Sequence, residues 1–222
     1  MAEEHHEKGK NYVDYFNGLL TLSLEKLKYS KLFDVYKNTK RLTFDIDNKK
    51  FSFDMKGIIE YNDEVREVWI ESKGYSEGSN LLNYYKEFIF RAYQTILSGK
   101  TNEDDLFFFV TNAPFGGSIK NLFSPSFIEK TLEEKGISEY KTDEKFLKFS
   151  ESVFGIIFTD SYINLFTKKH TIKPGDSLWE FWIKRENRSL GWDEYKNMML
   201  ETNENIKAVD NLPIGKTIKR FY

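Results

Sequence analysis

Residues Phe51 to Gly74 read FSFDMKGIIEYNDEVREVWIESKG, and most of the expected architecture grows outward from them. Two runs rich in strand formers flank a polar centre, Tyr61-Asn62-Asp63-Glu64. A two-residue turn at Asn62-Asp63 sets a register in which Asp54 lies directly opposite Glu71. Side chains alternate along a strand, so Lys73 emerges on the face of Glu71. Directly opposed residues have Cβ atoms roughly 4.5–5.5 Å apart. The expectation is two carboxylates and one ammonium at one end of a hairpin, close to where Gly74 lets the second strand stop. These charges are embedded in apolar runs, Gly57-Ile58-Ile59 and Val68-Trp69-Ile70, where a solvated face has no need of them. Two converging carboxylates suit a hard divalent cation such as Mg²⁺, and such an ion activates water and offsets phosphoryl charge. A surface hairpin with solvated charges is the other reading of the same residues.

Upstream, Asn11 to Lys37 has helical spacing, with Leu20, Leu24, Leu27, Leu32 and Val35 on one side and Gly18 as a divider between two helices. Glu25 sits on the polar side. Arg41 to Asp47 alternates as a strand, and Asn48-Lys49-Lys50 reads as a turn. Downstream, Glu77 to Ser98 carries a broad apolar stripe including Tyr85, Phe88, Ala92 and Ile96, with Arg91 and Gln94 off it and Gly99 as a stop. Asp105 to Thr111 is an unbroken apolar run. It is expected to be a buried strand parallel to the strand of Glu71, joined to it by the helix as a crossover. A loop from Asn112 to Gly117 leaves that strand's carboxyl end. Ser126 and Glu129 fit a capping box, Thr142 to Ser152 fits a helix, and Phe154 to Thr159 fits a final strand. From Phe158 to Phe166 helix and strand both remain open.

Asp54, Glu71 and Lys73, set on a hairpin between helical segments, resemble the PD-(D/E)XK superfamily, the restriction-endonuclease-like nucleases. Phe53 stands where a Pro is usually written. The resemblance implies an α/β fold with a mixed sheet flanked by helices. It implies a metal-dependent DNA endonuclease, restriction- or defence-related, with Asp54 and Glu71 on Mg²⁺ or Mn²⁺ and Lys73 positioning or activating water. It also implies an acidic residue from the N-terminal helix, for which Glu25 is the candidate. A polar residue of the following helix, Gln94 or Arg91, would lie near the scissile phosphate. A solvated role for Glu25 and an ordinary exposed role for Gln94 or Arg91 stay open. Cutting both strands usually asks for two active sites, so a homodimer is a further expectation.

A composition shift at Lys168-Lys169-His170 divides the chain into residues 1–167 and 168–222. The second part runs strand, Pro174-Gly175-Asp176 turn, helix from Leu178 with Trp179 and Trp182, helix Trp192 to Glu201, then a closing strand through LPIGKTIK. Ser177 or Asp176 can cap the first of these helices. TIKPGDSLW, the Asn after the second helix and LPIGKTIK resemble the lysin motif (LysM), a small βααβ module. That resemblance implies binding of N-acetylglucosamine-containing glycans through Gly175, Asp176, Ser177 and residues 206–211. The module can equally serve protein contacts, oligomerisation or DNA binding, with Lys216, Lys219 and Arg220 making its end basic, or be a packing appendage with no ligand.

Composition narrows the classes. Of 222 residues, 40% are hydrophobic, with 20 Phe and 13 Tyr, enough for an aromatic core. The absence of Cys excludes disulfides and thiolate metal sites. The three His, at positions 5, 6 and 170, do not suggest a His-based site. The polar start MAEEHHEKGK is not a secretory signal and no run is long enough for a membrane span, so the expected compartment is the cytoplasm. A formal net charge of −2 means that any nucleic-acid contact must come from local basic patches. A non-catalytic nuclease-fold scaffold and a glycan-binding protein are the alternative functions.

Overall fold

The computed structural model describes residues 2–24, 29–34, 42–46, 48–61, 64–74, 80–113, 119–137, 144–184 and 190–221. Two compact units emerge, one of residues 27–157 and one that combines residues 1–26 with 158–222.

The first unit is mixed α/β. Its main sheet has five strands: β1 (Tyr29–Asp34), β4 (Met55–Tyr61), β5 (Glu64–Lys73), β6 (Leu106–Thr111) and β7 (Val153–Ile157), in that spatial order. The β1–β4 and β4–β5 pairs are antiparallel, and β5–β6 and β6–β7 are parallel. Between β1 and β4, β2 (Thr43–Ile46) and β3 (Lys49–Ser52) form a separate two-stranded ribbon. Helix α2 (Leu81–Leu97) makes the crossover from β5 to β6. Helices α3 (Ile119–Leu122), α4 (Pro125–Glu134) and α5 (Glu144–Ser152) lie between β6 and β7 in sequence.

The core of this unit is aromatic, as the composition suggests. Tyr85 and Phe88 of α2, Trp69 of β5, Phe107 and Phe109 of β6, Phe149 of α5 and Phe53 form one buried cluster. Apolar burial of this kind stabilises each large side chain by roughly 1.5–3 kcal/mol. Within this core, Trp69 Nε1 donates to Asp105 Oδ2 at 2.9 Å. Burial pushes the Asp105 carboxyl up, against the pull of the Asn102 N–H and of Trp69.

The second unit opens with α1 (Ala2–Leu24). It continues through α6 (Asp160–Ile163), a 3₁₀ turn (Asn164–Phe166), β8 (Thr167–Thr171), α7 (Leu178–Ile183), α8 (Trp192–Thr202) and β9 (Thr217–Phe221). Strands β8 and β9 pair antiparallel. Asn203, just past α8, ties helix to strand: its amide accepts from Lys219 N–H at 2.7 Å and donates to Lys219 O at 2.8 Å.

Several local expectations change. Gly18 does not divide α1, which is one helix; a Cβ there would overlap Met198 Sδ of α8, so glycine permits close packing. Leu32 belongs to strand β1 rather than to a helix. The Thr43–Ile46 strand pairs with β3 and stands outside the main sheet. Ser124, not Ser126, caps α4, accepting from Phe127 N–H at 3.2 Å, with Pro125 opening the helix. The last strand of the first unit starts at Val153 and ends at Ile157. Among the described residues no helix is long and apolar enough to cross a membrane.

Candidate functional site

The β4–β5 register runs Tyr61↔Glu64, Gly57↔Val68 and Met55↔Ile70 and stops there, so Asp54, expected on the strand directly opposite Glu71, lies one residue beyond the ladder. This is the register expected from a turn at Asn62-Asp63, residues that themselves lie outside the described ones. Asp54 occupies a bend between β3 and β4. Its neighbour Phe53 is anchored there by core burial and by its N–H, which donates to Leu42 O at 3.1 Å. The β4–β5 ladder has ended by this point. The Asp54 carboxylate therefore takes the Ser72 N–H, which a continuing strand would otherwise have satisfied.

Three expected residues come together. Lys73 Nζ lies 2.5 Å from Glu71 Oε1 and 3.8 Å from Asp54 Oδ2. Asp54 Oδ2 also accepts from Ser72 N–H at 2.8 Å and from Ser72 Oγ at 3.0 Å. The contacts of Asp54 with Ser72 and Lys73 all fall on Oδ2. The side chains of Asp54, Glu71 and Lys73 are 20%, 14% and 23% exposed, sunk but reachable. Burial, and then the charge of Asp54, push the Glu71 carboxyl up to about 7, while Lys73 and Arg91 pull it back. Glu71 can therefore exchange a proton near neutral pH, whereas Asp54 is oriented by two donors from one residue.

Beside this cluster lies a cavity of about 200 Å³ between Phe51 and Ser52 of β3, the end of β5 and the exposed side of α2. Glu71, Lys73 and Arg91 supply its charge, with Glu87. Arg91 Nε donates to Glu87 Oε1 at 3.0 Å and Lys135 Nζ donates to Glu87 Oε2 at 2.8 Å. Burial alone would raise the Glu87 carboxyl, but these two cations hold it below its usual range. Of the two polar candidates on α2, Arg91 lines the cavity and Gln94 does not. Glu25 lies outside the described residues. Ser72 escaped the sequence reading, since nothing in a one-letter string shows that a strand residue will orient a carboxylate beyond the ladder's end.

In the second unit, Gly175 has a positive φ of 90° and turns the chain after β8. Asp176 Oδ2 takes a hydrogen bond from Lys173 N–H at 2.8 Å and is 2.7 Å from His170 Nε2. Chiefly through His170, its carboxyl is held below the usual range. Ser177 caps α7, its hydroxyl accepting from Glu180 N–H at 3.1 Å. Asp176 and Ser177 meet Val209, Asp210, Trp179 and Trp192 around a second cavity of about 320 Å³; Gly175 does not line it. Trp179 packs against Trp182 and Trp192 with ring centroids 4.7 and 5.1 Å away. It is still half exposed.

Compared with family models, with curated proteins and with solved structures, the chain matches none.

Proposed function

We propose that the protein is a metal-dependent nuclease that hydrolyses DNA phosphodiester bonds, built on a restriction-endonuclease-like core and carrying a LysM-like C-terminal module. One observation carries the reading: an ammonium within 4 Å of two carboxylates at the end of a hairpin that leads into a right-sized crossover. A structural ion pair needs one acid and one base. A second, buried carboxylate is costly unless something else uses it.

The donor set fits Mg²⁺ or Mn²⁺. Among the described residues no group of three or more His, Cys, Asp or Glu that could hold a metal occurs, but Mg²⁺ is characteristically bound through one or two carboxylates and keeps its remaining positions for water and substrate phosphate. Asp54, through Oδ1, and Glu71 would hold it. When bound, the ion supplies positive charge to the phosphoryl oxygens and lowers the pKa of water. The chain's own groups do the rest. Ser72 fixes the direction of Asp54. Lys73 offers N–H donors to a non-bridging oxygen or to the attacking water, at a point where charge builds up during displacement. Arg91, pinned by Glu87, offers a second cationic contact for the phosphate.

The test is cleavage of plasmid and oligonucleotide DNA with Mg²⁺ or Mn²⁺ by wild type, Asp54→Ala and Lys73→Ala, each checked for fold by circular dichroism. Both variants should lose at least about 100-fold in rate, in line with the loss of a charge-stabilising donor. Full activity in both would end the proposal. DNA binding without cutting under any divalent metal would favour the scaffold reading instead.

A second reading has its own support. The cavity formed by Asp176, Ser177, Trp179, Trp192 and Asp210 pairs an exposed indole with polar groups, which suits a sugar ring. On that reading the protein binds N-acetylglucosamine-containing glycans through the C-terminal module. Pull-down on peptidoglycan or chitin, lost in Trp179→Ala, would support it; no retention would remove it.

A further inference from the structure

The cavity next to Asp54, Glu71 and Lys73 has walls that the hydrolysis proposed above does not use. They are rings: Phe51, Phe53, Tyr84 and Phe88. Phe53 and Phe88 are buried and fix the floor, whereas Phe51 is half-buried and Tyr84 is 39% exposed at the mouth. The guanidinium of Arg91 lies over the Phe51 ring, 5.9 Å from its centroid, and is held there by Glu87, so the cation takes that face of Phe51 and Tyr84 is the more exposed ring. The volume, about 200 Å³, falls below the roughly 300–1,000 Å³ of pockets for drug-sized ligands. It suits one planar ring system rather than a base pair. Aromatic walls beside cationic side chains are the elements by which proteins hold single strands: bases stack while the backbone meets positive charge.

We infer that this cavity receives one unstacked nucleobase of the nucleotide adjoining the scissile phosphate, so that the substrate is single-stranded or locally unpaired DNA. The inference rests on the nuclease reading for the phosphate but on the ring-lined cavity for the base. A base inside a duplex has both faces covered by its neighbours. To enter, it must leave the stack at a cost of a few kcal/mol, which is least where the strand is already single or mismatched. Single strands and unpaired junctions therefore bind and react better than intact duplex.

The experiment is a two-by-two cycle. Wild-type protein and Tyr84→Ala are titrated, with Ca²⁺ as a non-cleaving ion, against a fluorescent single strand and against the same strand with one abasic site. Intact duplex is run in parallel. Stacking on one ring is expected to give wild type at least about tenfold tighter binding to the intact than to the abasic strand. Tyr84→Ala should bind the two strands alike. Phe51→Leu, which keeps apolar packing but removes the ring, should repeat the loss. Equal wild-type affinity for single strand and duplex would overturn the inference, as would an abasic effect that survives Tyr84→Ala unchanged. The outcome separates from the nuclease test. Duplex cutting that needs Asp54 but is indifferent to Tyr84 retains the nuclease and discards the base pocket. A coupled base effect in a protein that cuts nothing retains the pocket and discards the nuclease.

Discussion

Glu71 makes the chemistry of the site measurable without any substrate. Its carboxyl is raised from an ordinary 4.5 to about 7, first by burial and then by Asp54. Below the lower value it is protonated in both folded and unfolded chains and contributes nothing to pH dependence. Between the two values the unfolded chain gives up a proton that the folded chain keeps, so stability falls as pH rises; above the upper value the penalty stays constant. Glu71→Gln removes that penalty. Its stability relative to wild type should climb between about pH 4.5 and 7 by up to about 3 kcal/mol, read by urea unfolding at pH 5 and pH 8. A difference that does not change with pH would contradict this account. On the proposed metal reading the same proton opposes the cation, so thermal stabilisation by Mg²⁺ should grow from pH 6 to pH 8. Ser72 supplies a complementary prediction. Ser72→Ala deletes the hydroxyl at 3.0 Å but keeps the N–H at 2.8 Å on Asp54 Oδ2. It should cost about 1 kcal/mol of stability and, on the proposed metal reading, weaken Mg²⁺ binding, measured by calorimetry, without abolishing it. Glu71 and Lys73 were legible because strand periodicity puts them on one face; Asp54 joins them from a bend just before β4 rather than from a ladder position. Ser72 was not legible, because its role depends on where the ladder stops.

Elements announce themselves when local and tertiary signals agree. Helix α2 combines an apolar stripe with a glycine stop, and its end forms a Schellman motif: Gly99 N–H bonds Ile96 O at 2.9 Å and Lys100 N–H bonds Thr95 O at 2.8 Å. Gly99 has φ +66°, and a methyl group at its Cα would project into open space. Gly99→Ala should therefore cost only the conformational strain of a left-handed residue, about 1–2 kcal/mol. Gly155 is the opposite case. It lies in β7 at ordinary dihedrals, but a Cβ would overlap the Phe123 ring. Gly155→Ala must displace an aromatic side chain and should cost about 1–3 kcal/mol. Thermal melts of the pair test the split: Phe123→Leu should relieve Gly155→Ala and leave Gly99→Ala untouched. Strand β1 shows the limit of periodicity. Leu32 falls at helical spacing from Leu24 and Leu27, yet pairing with Gly57 of β4 decides its conformation, and such a partner is not written in a local window. Strand β2 was readable from its alternation, but Lys49 and Lys50, expected in a turn, belong to β3, and nothing in the alternation says that the ribbon leaves the main sheet.

At the scale of the molecule, the chain's two ends form one unit, and no local pattern could have revealed it. Asp14 and Asn197 are 183 positions apart, both buried, and joined by Asn197 Nδ2 donating to Asp14 Oδ2 at 3.1 Å. Asn17 Nδ2 donates to Glu194 Oε1 at 3.1 Å one helical turn away. Gly18, next to Asn17, lets Met198 approach the backbone of α1 closely. The composition shift places a boundary at residue 168, whereas the compact unit begins at Phe158 and includes α1. Helix α8 buries Tyr195, Asn197, Met198 and Met199. A short helix with such a wide buried surface needs cover on more than one side, and α1 provides part of it. A fragment of residues 168–222 alone exposes that surface and leaves Asn197 without Asp14. It should melt broadly, with tryptophan emission shifted to the red. Fusing residues 2–24 to residues 158–222 through a flexible linker should restore a sharp transition. Asn197→Leu in the full chain should cost about 1.5–3 kcal/mol, because it takes a buried amide donor away from the Asp14 carboxylate. If the 168–222 fragment unfolds as sharply and at the same temperature as the fusion, α1 is dispensable and the C-terminal segment folds on its own contacts.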